Sequence, residues 1–70
     1  MAEIKIIANG LELAVPHGTT LSKLLDMMEE PVRPDIMVEV NRKFIHLKQY
    51  STTTVNEGDN VEVIALDIGG

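Results

Sequence analysis

The chain has 70 residues, of which 44% are apolar, with one Phe, one Tyr, no Trp and no Cys. Its formal charge of −5, from 6 basic and 11 acidic residues, disfavours binding to a nucleic-acid backbone. The lack of cysteine excludes disulfides, thiolate metal sites and a catalytic thiol. We expect one small cytoplasmic domain, since neither a signal-peptide pattern nor an apolar run near the roughly 18 residues of a membrane span is present.

Residues 3–15 predict an antiparallel hairpin. Apolar residues alternate with polar or small ones on both sides of a central Asn9-Gly10 pair; they are Ile4 and Ile6 before it and Leu11, Leu13 and Val15 after it. Asn-Gly tolerates positive φ at both central positions, as a two-residue type I′ turn requires.

The segment after the hairpin predicts a short helix. Thr20 can accept a hydrogen bond from the first free N–H groups and so cap the helix. Apolar residues then recur at helical spacing, at Leu21, Leu24, Leu25 and Met28. Pro31 and Pro34 are expected to end the helix, because neither can continue its hydrogen bonds.

The second half predicts further strands. Residues 36–40 alternate again, 41–43 suit a turn, 44–46 form a short strand and 60–65 form the last one. One short helix can cover only one face of a sheet. We therefore expect an α+β fold with a mixed sheet of four or five strands on one main helix, in the order β-β-α-β-β(-β). The first and last strands should lie side by side at its centre.

The two histidines suggest no metal site. His17 and His46 lie in different predicted turns, without the spacing of His, Cys, Asp or Glu that metal sites use. No residue stands out as catalytic.

Several motifs together carry a family resemblance: the Asn-Gly hairpin, the "GTTLSKLL" helix, a middle strand running into Asn41, a Gly-Asp turn before "VEVI", and the final Gly69-Gly70. This combination resembles the ubiquitin-like β-grasp sulfur carriers of the ThiS/MoaD family, over the stretch from Ile4 to Gly70. The resemblance implies a β-grasp domain over residues 1–66 and a flexible tail over residues 67–70.

The resemblance also implies a function. A ThiF-type adenylating enzyme would use ATP and Mg to activate the Gly70 carboxylate, and a cysteine-desulfurase-derived persulfide would convert it to a thiocarboxylate. A ThiG-type thiazole synthase would take the sulfur for thiamine. The protein would be a co-substrate and not an enzyme, with no bound cofactor, no nucleic-acid or membrane partner, and a monomeric free state. Molybdopterin, tungstopterin or tRNA-thiolation carriers, a ubiquitin-like protein modifier and a passive interaction module remain open as alternatives.

The predicted tail suits this chemistry. From Ala65 to Gly70 an extended chain reaches about 20 Å, enough to enter another protein's cleft. Gly69 and Gly70 place no Cβ beside the reacting carbon, and Ile68 and Asp67 complete the threading segment. Asp67 interrupts the apolar run, so we expect disorder from about residue 66 onward.

A docking patch is predicted beside the tail. By strand alternation Ile64 and Leu66 point outward, Met37 should share their face, and Ile7 would extend the patch. The alternative is ordinary apolar surface, which folded proteins have in quantity.

Overall fold

The computed structural model describes residues 2–30 and 33–66. In chain order the elements are β1 (Glu3–Ala8), β2 (Leu11–Pro16), α1 (Leu21–Met27), β3 (Ile36–Val40), β4 (Lys43–Ile45), a 3-10 turn (Leu47–Gln49) and β5 (Asn60–Ala65). The strands form one five-stranded sheet in the order β2-β1-β5-β3-β4. β1 and β5 are parallel and β1–β2, β3–β5 and β3–β4 are antiparallel. This confirms the predicted α+β architecture and the central pair of first and last strands.

Each of the two hairpins, β1–β2 and β3–β4, is closed by a tight two-residue turn. The predicted Asn9-Gly10 turn has φ values of 50° and 82°, and the β3–β4 turn has 53° and 70° at Asn41 and Arg42. Positive φ at both central positions is the requirement of a type I′ turn. The second turn is one residue shorter than the sequence predicted, since Lys43 already begins β4.

Both turn asparagines also hold β5. The side-chain oxygen of Asn9 accepts a hydrogen bond from the N–H of Val63 at 2.8 Å, and that of Asn41 accepts one from the N–H of Asn60 at 2.9 Å. The last strand is therefore bonded from both sides by side chains as well as by its neighbouring strands.

Helix α1 begins where the sequence predicted and ends earlier. The hydroxyl of Thr20 accepts a hydrogen bond from the N–H of Lys23 at 3.2 Å, which confirms the cap. The helix stops at Met27, so the prediction that prolines end it was wrong. Glu29 has a left-handed φ of 57°, and the N–H of Glu30 donates to the carbonyl of Leu25 at 2.9 Å. This is a Schellman ending with glutamate in the position that usually holds glycine.

The core lies between α1 and one face of the sheet. Leu21, Leu24 and Leu25 are fully buried, at 0% exposure. They pack with the alternate residues of the strands: Ile4, Ile6, Val15, Val38 and Val61. Tyr50 and Val55, at 4% and 2% exposure, join the same core from the long β4–β5 connection. Among the described residues no helix lies on the opposite face of the sheet, which is where the predicted patch falls.

Candidate docking face

The centre of the predicted patch is a directly facing pair of apolar side chains. Met37 in β3 and Ile64 in β5 are antiparallel partners, and both are half-buried. They point away from α1, because their neighbours Val38 and Val63 pack in or against the core. Directly opposed side chains in a sheet are in contact distance of one another. The structure thus brings together two of the four residues that the sequence assigned to the patch.

Leu66 continues this face beyond the end of β5. Its N–H donates a 2.7 Å hydrogen bond to the carbonyl of Asp35, so the β3–β5 pairing extends one step past Ala65. Its side chain is 39% exposed. Disorder was predicted from about residue 66, and this bond shows that Leu66 itself is still held by the sheet. The predicted tail residues Asp67, Ile68, Gly69 and Gly70 lie outside the described residues.

Ile7 lies apart from the other three. It is half-buried on the same face, but its partner in β5 is Asn60. Ile64 is four positions further along β5, about 13 Å away at about 3.3 Å per residue. Glu62 lies between them on that face. The predicted extension of the patch to Ile7 therefore requires a partner that also covers a carboxylate.

Two glutamates face each other beside the apolar pair. Glu39 and Glu62 are direct antiparallel partners, one step along the strands from Met37 and Ile64. Neither forms an ion pair with any residue that the structure describes. By contrast, the carboxylate of Asp35, the residue just before β3, pairs with Arg33 at 2.9 Å. The face therefore carries two neighbouring negative charges next to its apolar part. Like charges directly opposed across strands are destabilising.

Phe44 is a member of this face that sequence reasoning missed. It is opposite Glu39 in the β3–β4 pairing and is 51% exposed. Its ring meets that of His46 edge-on, with centroids 4.8 Å apart and an interplanar angle of 82°. The signal was present in the sequence: Ile45 is the apolar member of the alternation that packs inward, which places its neighbours outward.

Neither a metal-binding cluster nor a membrane-spanning helix is found in the part of the chain that the structure describes. Within residues 2–30 and 33–66 no three His, Cys, Asp or Glu side chains are placed to hold a metal ion. No helix in the same ranges has the length and apolar character that crossing a bilayer requires. His17 and His46 are both exposed.

A five-stranded β-grasp sheet on one helix, with a partly apolar sheet face beside the end of β5, defines a class of small ubiquitin-like proteins. Comparison with known proteins then narrows the class. The profile of the ThiS family matches residues 1–70, and the chain belongs to this family. The fold is similar to the crystal structure of the thiamine biosynthesis protein ThiS from Geobacter metallireducens, with a TM-score of 0.81 and 25% identity, covering 96% of this chain and 100% of that one. A search of curated proteins found no match.

Proposed function

We propose that this protein is a sulfur carrier of thiamine biosynthesis, in which a ThiF-type enzyme adenylates the Gly70 carboxylate and a thiocarboxylate is then formed. The observation that carries the proposal is the match of the ThiS family over the whole chain, including the Gly69-Gly70 end. The thiamine biosynthesis protein from Geobacter metallireducens, with the same fold, supports the assignment to this pathway.

The chemistry needs a carboxylate with a better leaving group. Attack of the Gly70 carboxylate on the α-phosphate of ATP releases pyrophosphate and forms an acyl-adenylate. A persulfide sulfur then attacks the acyl carbon, AMP leaves, and a thiol cleaves the S–S bond to release the thiocarboxylate. Glycine at the last two positions leaves the acyl carbon open to both reactions, since neither residue has a Cβ.

The position of Leu66 supports this role. Its hydrogen bond to Asp35 places the last described residue of the chain at the end of the Met37–Ile64 face. A partner that binds this face would therefore lie beside Leu66, the residue that precedes the proposed reactive tail in the sequence. A thiazole synthase of the ThiG type and the adenylating enzyme would each need such a contact to receive the tail.

The charge of the face indicates what a partner must bring. Glu39 and Glu62 are opposed and unpaired among the described residues, next to exposed Phe44. A basic side chain placed between the two carboxylates would relieve their repulsion, while apolar side chains covered Met37 and Ile64. We propose that the adenylating enzyme supplies both kinds of group.

Intact mass spectrometry tests the function. After incubation with a ThiF-type enzyme, ATP, Mg and a persulfide source, the protein should gain the mass difference between sulfur and oxygen. The variant lacking Gly70 should gain nothing and keep its fold. High-mass conjugates formed through Gly70 would instead identify a protein modifier, and an unchanged mass with an active enzyme would identify a passive interaction module. Transfer from the loaded protein to a ThiG-type synthase, and not to a molybdopterin or tRNA-thiolation enzyme, tests the pathway.

A further inference from the structure

The outer edge of β2 carries main-chain groups that no other strand within residues 2–30 and 33–66 uses. β2 is at one end of the sheet order, and it reaches β1 through a two-residue turn. In such a hairpin every second residue bonds to the partner strand. The N–H of His17 bonds to the carbonyl of Ala2 at 3.0 Å, which continues the odd-numbered series of β2. The N–H and C=O groups of Glu12 and Ala14 therefore point away from the sheet.

Pro16 limits this free edge at its other end. Proline has no N–H to donate. The carbonyl of Pro16 already accepts bonds from the N–H of Thr19 at 3.2 Å and from its hydroxyl at 2.6 Å. The free edge thus consists of the donors and acceptors of Glu12 and Ala14.

An apolar groove lies beside this edge, between β2 and the end of α1. It has a volume of about 340 Å³, and its apolar lining includes Leu11, Leu13, Met27 and Met28. Leu11 is 73% exposed and Met27 is 47% exposed, so both are available to a partner. A strand added to β2 would cover them.

The two ends of the β2–α1 groove carry opposite charges. At the hairpin end the lining includes the acidic residue Glu30. At the Pro16 end a second groove, of about 240 Å³, is lined by Lys23 and His17 and shares Met27 with the first. A two-fold axis through the middle of β2 would place the acidic end of each copy against the basic end of the other.

We propose that β2 pairs in antiparallel fashion with β2 of a second copy of this chain, with Leu13 facing its own counterpart. In this register Glu12 of each copy faces Ala14 of the other, and each such pair exchanges both of its N–H···O=C bonds. Leu11 then lies beside Val15 of the other copy. The rotation that pairs the main-chain groups also brings the acidic end of each groove against the basic end of the other, and this charge complementarity favours a second copy as the occupant.

The pairing is weak and leaves the docking face open. Each copy carries a charge of −5, and a single short strand buries less than a stable obligate interface. The dimer is therefore expected at high protein concentration, while dilute protein is the monomer that the sequence predicted. Since β1 and β5 separate β2 from β3, the Met37–Ile64 face stays accessible in the dimer. The dimer proposal and the sulfur-carrier function can therefore be tested independently.

Sedimentation equilibrium of the full chain over a wide concentration range tests the pairing. The average mass should rise from one chain toward two, and amide exchange at Glu12 and Ala14 should slow as the dimer forms. Ala14→Pro removes an edge donor, and Leu11→Lys places a charge in the groove; both should abolish the rise. Leu47→Lys is the matched control, because Leu47 is also exposed, at 52%, but lies in the 3-10 turn.

A charge swap tests the register. Lys23→Glu should raise the dimer dissociation constant several-fold more than Lys48→Glu, which changes the net charge equally at the 3-10 turn. A mass of one chain at every concentration overturns the proposal. So does a dimer that survives Leu11→Lys in a variant with an unchanged circular dichroism spectrum. Binding of a different purified protein at Glu12 and Ala14, without self-association, would assign the edge to that protein and also overturn the proposal.

Discussion

Asn9, in the first turn of the chain, accepts a 2.8 Å hydrogen bond at its side-chain oxygen from the N–H of Val63, 54 positions later. β1 ends at Ala8, while β5 continues to Ala65. The N–H of Asn9 still donates to the carbonyl of Val61 at 2.9 Å, and its side-chain oxygen accepts the next hydrogen bond from β5. It holds β5 shortly before the segment that leads to Gly70.

Asn9→Gly should destabilise the protein. Glycine keeps the positive φ of the turn, but it removes the side-chain acceptor of the exposed hydrogen bond from the Val63 N–H, a loss of about 1 kcal/mol. Urea unfolding followed by circular dichroism would measure it. Asn9→Asp keeps an oxygen in the same position and is the control. Equal stability of Asn9→Gly and the parent would show that the bond contributes nothing net.

Glu29→Gly should stabilise the protein. Glu29 has a φ of 57° in the ending of α1, and a left-handed backbone costs a residue with a Cβ about 1 kcal/mol or more. Glycine is free of this penalty, so the thermal midpoint should rise by about 4–8 °C for each kcal/mol gained. Lys23→Gly, at an exposed site inside α1, should instead lower stability by about 0.5–1 kcal/mol. A loss of stability in both variants would contradict the Schellman ending of α1.

Stability should fall in alkaline solution because of Tyr50. Burial raises the pKa of this phenol above its ordinary value of 10.0, and a hydrogen bond with the Val38 main chain offsets part of the rise. Above pH 10.0 the unfolded chain loses the phenolic proton more readily than the folded one. The contribution of Tyr50 to the free energy of unfolding is therefore complete below the pKa of the unfolded state. It is lost as the pH rises through the pKa of the folded state. The unfolding free energies of the parent and of Tyr50→Phe should show the same pH dependence below pH 10.0. Above pH 10.0 the free energy of the parent should fall more steeply than that of Tyr50→Phe.

Glu62→Gln should separate folding from partner binding. Removing one of two opposed carboxylates should stabilise the sheet by about 0.2–1 kcal/mol. On the proposed function, it should also slow adenylation by a ThiF-type enzyme, because the basic group of the enzyme loses a partner. Glu3→Gln changes the same charge on exposed Glu3 at the start of β1 and should alter neither quantity appreciably. Faster adenylation by Glu62→Gln would contradict the role of the acidic pair.

Local sequence determined those elements that depend only on near neighbours. Asn9-Gly10 specified the first turn because few residue pairs accept two positive φ values, and the spacing of Leu21, Leu24 and Leu25 specified the buried stripe of α1. The end of α1 was missed, since a left-handed glutamate carries no signal of the kind that glycine would. Ile45 packs inward, and alternation alone therefore places Phe44 outward.

Tertiary structure decided what depends on pairing between distant segments. Alternation placed Ile7, Met37 and Ile64 on one face, but only the register of β5 against β1 and β3 showed that Met37 meets Ile64 and that Ile7 meets Asn60. The same register opposed Glu39 to Glu62 and brought Asn9 to Val63. A strand pattern repeats every two residues, so it fixes the face of each side chain and leaves its cross-strand neighbour to the packing of the whole sheet.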